Sequence, residues 1–222
     1  QDNLTAAIAA YNTAIKLTPT LPKTHNNLGL ALQERGDINA AIASFNKAIE
    51  LNPNFTDAHF NLGNALKEQG DLSAAIDSFN TALHLKPNFP DAHFNLGNAL
   101  KEKGDLTAAI DSFNTALHLK PNFPDAHINL GNALQEKGDL TAVIATCNKA
   151  LELIPNFPEA HFNLGNALKE QGDLSAAIDS FNRALQLKSN FQEARSNLGA
   201  ALYEQDNLTA AIAAYNTAIE LK

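Results

Sequence analysis

Residues 90–123 read PDAHFNLGNALKEKGDLTAAIDSFNTALHLKPNF, and the rest of the chain repeats them. Residues 56–89 differ only at Thr56, Gln69 and Ser73, where the quoted stretch has Pro90, Lys103 and Thr107. Gly29, Gly63, Gly97, Gly131, Gly165 and Gly199 recur every 34 residues and mark six copies. A unit this short buries its apolar face only by stacking on neighbours, so the fixed period predicts a solenoid.

Working outward, the units occupy 22–55, 56–89, 90–123, 124–157, 158–191 and 192–222, with a leading half unit at 1–21. In that half unit Leu4, Ala7, Ile8, Tyr11, Ala14 and Pro19 precede Ile38, Ala41, Ile42, Phe45, Ala48 and Pro53 by one period. No composition shift, flexible linker or charge run interrupts the pattern, so 1–222 reads as one continuous array. Each unit predicts two helices. The first opens at Pro, Thr or Gln, mostly with an acid next, and ends before Gly36, Gly70, Gly104, Gly138 or Gly172. Asp37, Asp71, Asp105, Asp139 and Asp173 are then the N-caps of the second helix. In the last unit Asp206-Asn207 replaces Gly-Asp, and both residues tolerate the left-handed conformation. Prolines 53, 87, 121 and 155 stop the second helices, with Ser189 the exception. The expectation is an all-α chain of thirteen helices in antiparallel hairpins.

His59, Leu62, Gly63, Leu66, Ala75, Phe79, Ala82 and Pro87 follow the spacing of the tetratricopeptide (TPR) repeat, which has Trp and Tyr where this chain has His and Leu. The resemblance covers the whole chain. It implies a right-handed TPR superhelix, an α-solenoid whose concave surface is lined by the first helix of each pair. Cys147 for Phe and Val143 for Ala depart from the pattern in the fourth unit, where poorer packing is expected.

The chain carries 16 Lys and Arg against 24 Asp and Glu, with a formal charge of −8. This leaves little basic charge for counterion release, so nucleic acids and anionic membranes are not expected partners. No apolar run reaches the roughly 18 residues of a membrane span. The lone Cys147 fits a reducing, intracellular and cytoplasmic setting. With no methionine and a start at Gln1 inside a unit, the chain is expected to be a fragment or a processed product.

Projected at about 100° per residue, Ala58, Leu62, Ala65 and Leu66 share one arc of the second unit's first helix; Asp57, Asn61, Asn64 and Glu68 share the opposite one. Asparagine recurs at Asn27, Asn61, Asn95, Asn129, Asn163 and Asn197, and three residues on at Asn64, Asn98, Asn132 and Asn166. Asparagine is a mediocre helix former, whereas its carboxamide offers the donor and acceptor that an extended main chain needs. The functional reading is an amide ladder that binds a peptide backbone with little regard for sequence. The competing reading has the asparagines bond to water or to neighbouring helices. The arrangement resembles the substrate arm of O-linked N-acetylglucosamine transferase, in which an asparagine ladder takes extended peptides. Cochaperone TPR domains instead clamp a carboxylate with Lys and Arg; here only Lys23 fits, and Asp57, Asp91, Asp125, Glu159 and Glu193 follow it, an acidic row favouring basic or N–H groups on the ligand. Phe60, Phe94, Ile128 and Phe162 flank the ladder, either as packing between first helices or as an exposed anchor strip. Six amide pairs at about 1 kcal/mol each, less the ordering of the peptide, predict micromolar affinity.

His25, His59, His93, His127 and His161 form a further row. Stacked helices lie about 8–10 Å apart and zinc ligands about 2 Å from the ion, so the row is read as partly buried packing. His84 and His118 fall on the outer face of second helices. No singular nucleophile, base or phosphate loop stands out from the array, so no catalysis and no cofactor are expected.

Residues 2–15, DNLTAAIAAYNTAI, recur unchanged at 206–219, and neither end carries a polar cap. The ends can therefore meet a continuing repeat, associate end to end between copies, or exchange between copies as a swapped homo-oligomer. The reading is a non-enzymatic scaffold for an extended segment of a partner protein. Its alternatives are a structural, self-assembling solenoid and the substrate-recruiting arm of a larger enzyme.

Overall fold

The computed structural model describes residues 2–220. Among the described residues all regular structure is helical, in thirteen elements. Contacts divide the chain into two compact units, Gln1–Leu119 and Lys120–Lys222. The first holds α1 (Asp2–Leu17), α2 (Pro22–Glu34), α3 (Ile38–Leu51), α4 (Thr56–Gln69), α5 (Leu72–Leu85), α6 (Pro90–Glu102) and α7 (Leu106–Leu119). The second holds α8 (Pro124–Glu136), α9 (Leu140–Leu153), α10 (Pro158–Gln171), α11 (Leu174–Leu187), α12 (Gln192–Glu204) and α13 (Leu208–Glu220).

Within each unit the helices pack in sequence order, and first helices also touch: α2 meets α4, α4 meets α6, α8 meets α10 and α10 meets α12. This is the expected solenoid-like stacking of hairpins.

The turns form for the reasons the sequence suggests. Gly36, Gly70, Gly104 and Gly172 sit at φ 90°, Gly138 at 80°, and Asp206 takes the same left-handed role at φ 64°. The following residue closes the turn by donating its N–H five residues back, as Asp71 does to Leu66 O at 2.9 Å and Asn207 to Leu202 O at 2.9 Å. Only α4 and α10 run up to the glycine; α2, α6 and α8 stop one residue earlier, at a right-handed Arg35, Lys103 or Lys137. Asp71, Asp105, Asp139 and Asp173 cap the second helices by accepting from the N–H three residues on, at 3.0–3.1 Å, and Asn207 does so at 3.3 Å. Asp37 departs from the expectation. Its carboxylate accepts from Arg35 Nε at 2.6 Å instead, an arginine where the other units have Gln or Lys.

The core is a repeated interlock. Phe45, Phe79, Phe113 and Phe181 are fully buried, between buried alanines one turn before and after. Each ring lies over a glycine of its first helix: a Cβ on Gly29, Gly63, Gly97 or Gly165 would come within 2.5–2.7 Å of it. In the fourth unit Cys147 leaves Gly131 facing only Asn163 Nδ2 at 3.5 Å. Val143, one turn before Cys147, is fully buried and returns part of the lost volume.

Candidate functional site

The asparagines of adjacent first helices bond to each other. Asn95 Nδ2 donates to Asn64 Oδ1 at 2.7 Å, Asn163 to Asn132 at 3.3 Å, and Asn197 to Asn166 at 2.7 Å. The first asparagine of one unit thus bridges to the second asparagine of the unit before, forming a rung. In the first unit Leu30 replaces that second asparagine, and Asn61 donates to Asn26 Oδ1 at 3.0 Å. Sequence reading missed Asn26; the loss of asparagine at Leu30 was the available signal. Asn27, expected on the ladder, is exposed and meets Asn26 Nδ2 at 3.5 Å.

Each rung uses one N–H and one lone pair of a carbonyl oxygen. Oδ1 of Asn95, Asn163 and Asn197 and the amino groups of Asn64, Asn132 and Asn166 have no protein partner among the described residues. These side chains are half-buried apart from the buried Asn163, yet none of the free amide atoms is sealed from solvent. A rung therefore offers an acceptor from one helix beside donors from the next. Asn98 and Asn129 are half-buried on α6 and α8 at the corresponding positions.

A second row of bonds ties the C-terminal ends of the first helices. Gln33 reaches Glu68 at 2.9 Å, Lys67 reaches Glu102 at 3.3 Å, Gln135 reaches Glu170 at 2.7 Å and Lys169 reaches Glu204 at 3.6 Å. At the other end Asp57, Asp91 and Asp125 are exposed in the first turns, where the helix dipole favours a carboxylate. Glu159 in the same row pairs with Lys188 at 3.0 Å.

The aromatic row packs against neighbouring rings. Phe60 is half-buried, its ring 4.8 Å from Phe89 and 6.0 Å from Phe79; Phe162 repeats this against Phe191 and Phe181, at 4.9 and 6.1 Å. Phe94 lies 6.0 Å from Phe113. Phe60 and Phe162 thus each bridge the phenylalanine of their own hairpin and that of the loop that follows it.

The histidines act on the loops. Nε2 of His25, His59, His93, His127 and His161 bonds the carbonyl of Pro19, Pro53, Pro87, Pro121 and Pro155, each six residues earlier, at 2.9–3.2 Å. In the last unit both partners change and the bond survives: Arg195 Nη2 donates to Ser189 O at 3.0 Å. That joint change of His to Arg and Pro to Ser was a legible signal of the contact. Burial is the main cause holding His127 and His161 below the usual histidine range; the carbonyl bond opposes it, and Lys149 and Arg183 respectively add to the lowering. Among the described residues no three His, Cys, Asp or Glu side chains gather as a metal site. Burial also pushes the Cys147 thiol up to about 12, which leaves it unreactive. No helix among the described residues is long and apolar enough to cross a membrane.

The TPR repeat family matches residues 1–36, 31–70, 63–104, 97–138, 131–172 and 165–206, and a further tetratricopeptide pattern matches 192–222. The chain belongs to the TPR family. No curated protein sequence matches it. Among solved TPR structures it is similar to the C-terminal part of a TPR repeat-containing protein from Cytophaga hutchinsonii, at TM-score 0.83 and 18% identity over 99% of this chain and 91% of that one. It is also similar to YrrB, described as a TPR protein with an unusual peptide-binding site, at TM-score 0.71 and 22% identity over 83% and 95%. MamA from Desulfovibrio magneticus aligns at TM-score 0.68 and 20% identity over 75% and 94%. At these identities the likeness concerns the TPR fold.

Proposed function

We propose that this TPR chain is a non-enzymatic interaction scaffold that holds an extended segment of a partner protein along the asparagine face of its first helices. The observation that carries the reading is the composition of a rung. After Asn95 and Asn64 have bonded to each other, a carbonyl oxygen and an amino group remain without a protein partner and are not sealed from solvent, and the pattern recurs at the buried Asn163 with Asn132 and at Asn197 with Asn166. A peptide backbone supplies the complement, one N–H and one C=O per residue. The bond within the rung fixes both amides before a ligand arrives, which lowers the entropy cost of binding. YrrB, with the same fold, carries a peptide-binding site, in keeping with this use of the scaffold. The exposed Asp57, Asp91 and Asp125 favour basic side chains on the ligand. A randomised peptide array tests the reading, with the Asn61→Ala, Asn95→Ala and Asn129→Ala triple variant beside the parent: weak binding to many peptides, lost in the variant, supports it, and binding that survives all three changes rejects the ladder as the binding device.

A second reading rests on α13. Leu208, Ile212, Tyr215 and Ile219 are 53%, 61%, 38% and 67% exposed. Their counterparts in α1, with identical sequence, are Leu4, Ile8, Tyr11 and Ile15, and those pack into the cluster of Leu28, Ala31 and Leu32 on α2. Under this reading the bare α13 face meets a second copy of the chain. Sedimentation that shows monomer alone from micromolar to millimolar concentration rejects it.

A further inference from the structure

We propose that the cleft between α11 and α12 binds a phosphate group through Arg183 and Arg195, independently of the asparagine face. Arg195 precedes Asn197 by two residues, about 200° round α12, so the cleft and the ladder lie on different sides of that helix. The cleft is open, has a volume of about 560 Å³ and lies wholly within the second compact unit. Arg183, Asn182, Gln186 and Asp179 line it from α11 and Arg195 from α12. The chain has three arginines and a formal charge of −8, yet two of the three meet here without a carboxylate partner; the third, Arg35, pairs with Asp37. Arg183 donates from Nη1 to Gln186 Oε1 at 3.1 Å and from Nη2 to Asn156 Oδ1 at 3.2 Å, both neutral acceptors. Arg195 donates from Nη2 to the Ser189 carbonyl at 3.0 Å, and its Nε is buried without a partner. Among the described residues neither guanidinium forms an ion pair, although Asp179 lines the same cleft one turn before Arg183.

The other hairpins show what this step has gained. Between α5 and α6 the equivalent positions hold Thr81, His84 and His93, and the Thr81 hydroxyl donates back to Asp77 O at 2.9 Å. Where a lysine takes the place of that threonine, at Lys47 and Lys149, a glutamate stands three residues on, and Lys47 Nζ pairs with Glu50 at 2.8 Å. Three residues after Arg183 comes the neutral Gln186, so the charge is not cancelled. A guanidinium is a rigid planar fork that a carboxylate, with two oxygens in one plane, can satisfy alone. A phosphate has three terminal oxygens to share, which suits two forks projecting from two different helices. Gln186, whose Oε1 is taken by Arg183, keeps its amino group as a further donor, and Asn182 supplies another. Asp179 opposes the anion, but the two guanidiniums outweigh it.

The test is calorimetric titration of the full chain, at fixed ionic strength, with inorganic phosphate and with a blocked Ala-Ala-Xaa-Ala-Ala peptide in which Xaa is phosphoserine, glutamate or serine. The phosphoserine form is expected to bind about tenfold more tightly than the glutamate form, with the serine form weaker than either. Arg183→Thr, and Arg195→His together with Ser189→Pro, restore residues with which other hairpins fold. Each is expected to weaken the phosphoserine peptide by about tenfold. Asp179→Ala, which matches Ala43 and Ala145 in other units, is expected to tighten it. Inorganic phosphate that binds as tightly as the phosphoserine peptide identifies a free phosphate as the ligand; tighter binding of the peptide identifies a phosphorylated segment. A glutamate or serine form that equals the phosphoserine form, affinity unchanged in both arginine variants, or no binding of either phosphate probe overturns the proposal and leaves the asparagine-ladder reading untouched.

Discussion

Gly63 lies so close under Phe79 that a Cβ on it would stand 2.6 Å from the ring's Cε1. The fully buried ring has no room to yield, so Gly63→Ala is expected to destabilise the chain by about 1–3 kcal/mol, even though alanine is the better helix former. Gly131→Ala meets only Asn163 Nδ2 at 3.5 Å, and there the helix propensity gain of up to about 1 kcal/mol is expected to show. Urea unfolding of the two variants checks the opposite signs.

Val143 and Cys147 lie one turn apart on α9, both buried, where the other complete units have alanine and phenylalanine. Cys147→Phe alone crowds Val143 and is expected to destabilise; with Val143→Ala added, the site matches the other units and stability is expected to exceed the parent. A double-mutant cycle measures the coupling, expected at about 1–3 kcal/mol. Additive effects would mean that the two substitutions do not share one volume.

The Cys147 thiol, buried and pushed up to about 12, is expected to resist a disulfide reagent at pH 8 in the folded chain and to react at once in denaturant. The reaction rate against urea concentration then reports the opening of this unit.

His127 and His161 have folded pKa values below the ordinary 6.5, mainly through burial. The unfolded chain therefore binds more protons between the folded and unfolded values, and stability rises with pH there. The contribution is complete above about pH 6.5 and is lost as pH falls through the folded values. His127 Nδ1 is buried without a partner, so the added proton would have no acceptor. The thermal midpoint is expected to drop below pH 6.5 in the parent and to drop less in a His127→Gln, His161→Gln variant. Equal slopes would remove these histidines as the cause.

The 34-residue period made the hairpins legible because glycine, the aspartate cap and proline each impose a backbone state by local chemistry. Asp206 followed the same logic without a glycine. What stayed hidden depended on a neighbour one repeat away. Asn95 and Asn64 lie 31 residues apart, and nothing within either helix says that their amides meet. The Phe60 row projects beside the polar arc, but the ring of Phe89 from the next loop covers it. The capping failure at Asp37 came from Arg35, a substitution two residues upstream of the motif.

The most direct test of the ladder separates its structural bond from its binding atoms. In Asn64→Asp, Asn132→Asp, Asn166→Asp each carboxylate still accepts from the neighbouring asparagine, a bond strengthened by charge, while the free amino groups are gone. Calorimetric titration with a peptide that binds the parent is expected to show affinity lower by about fivefold per engaged rung, with the urea midpoint unchanged. Unchanged affinity in this variant would show that the asparagines only brace the helices and that the peptide, if held, is held elsewhere.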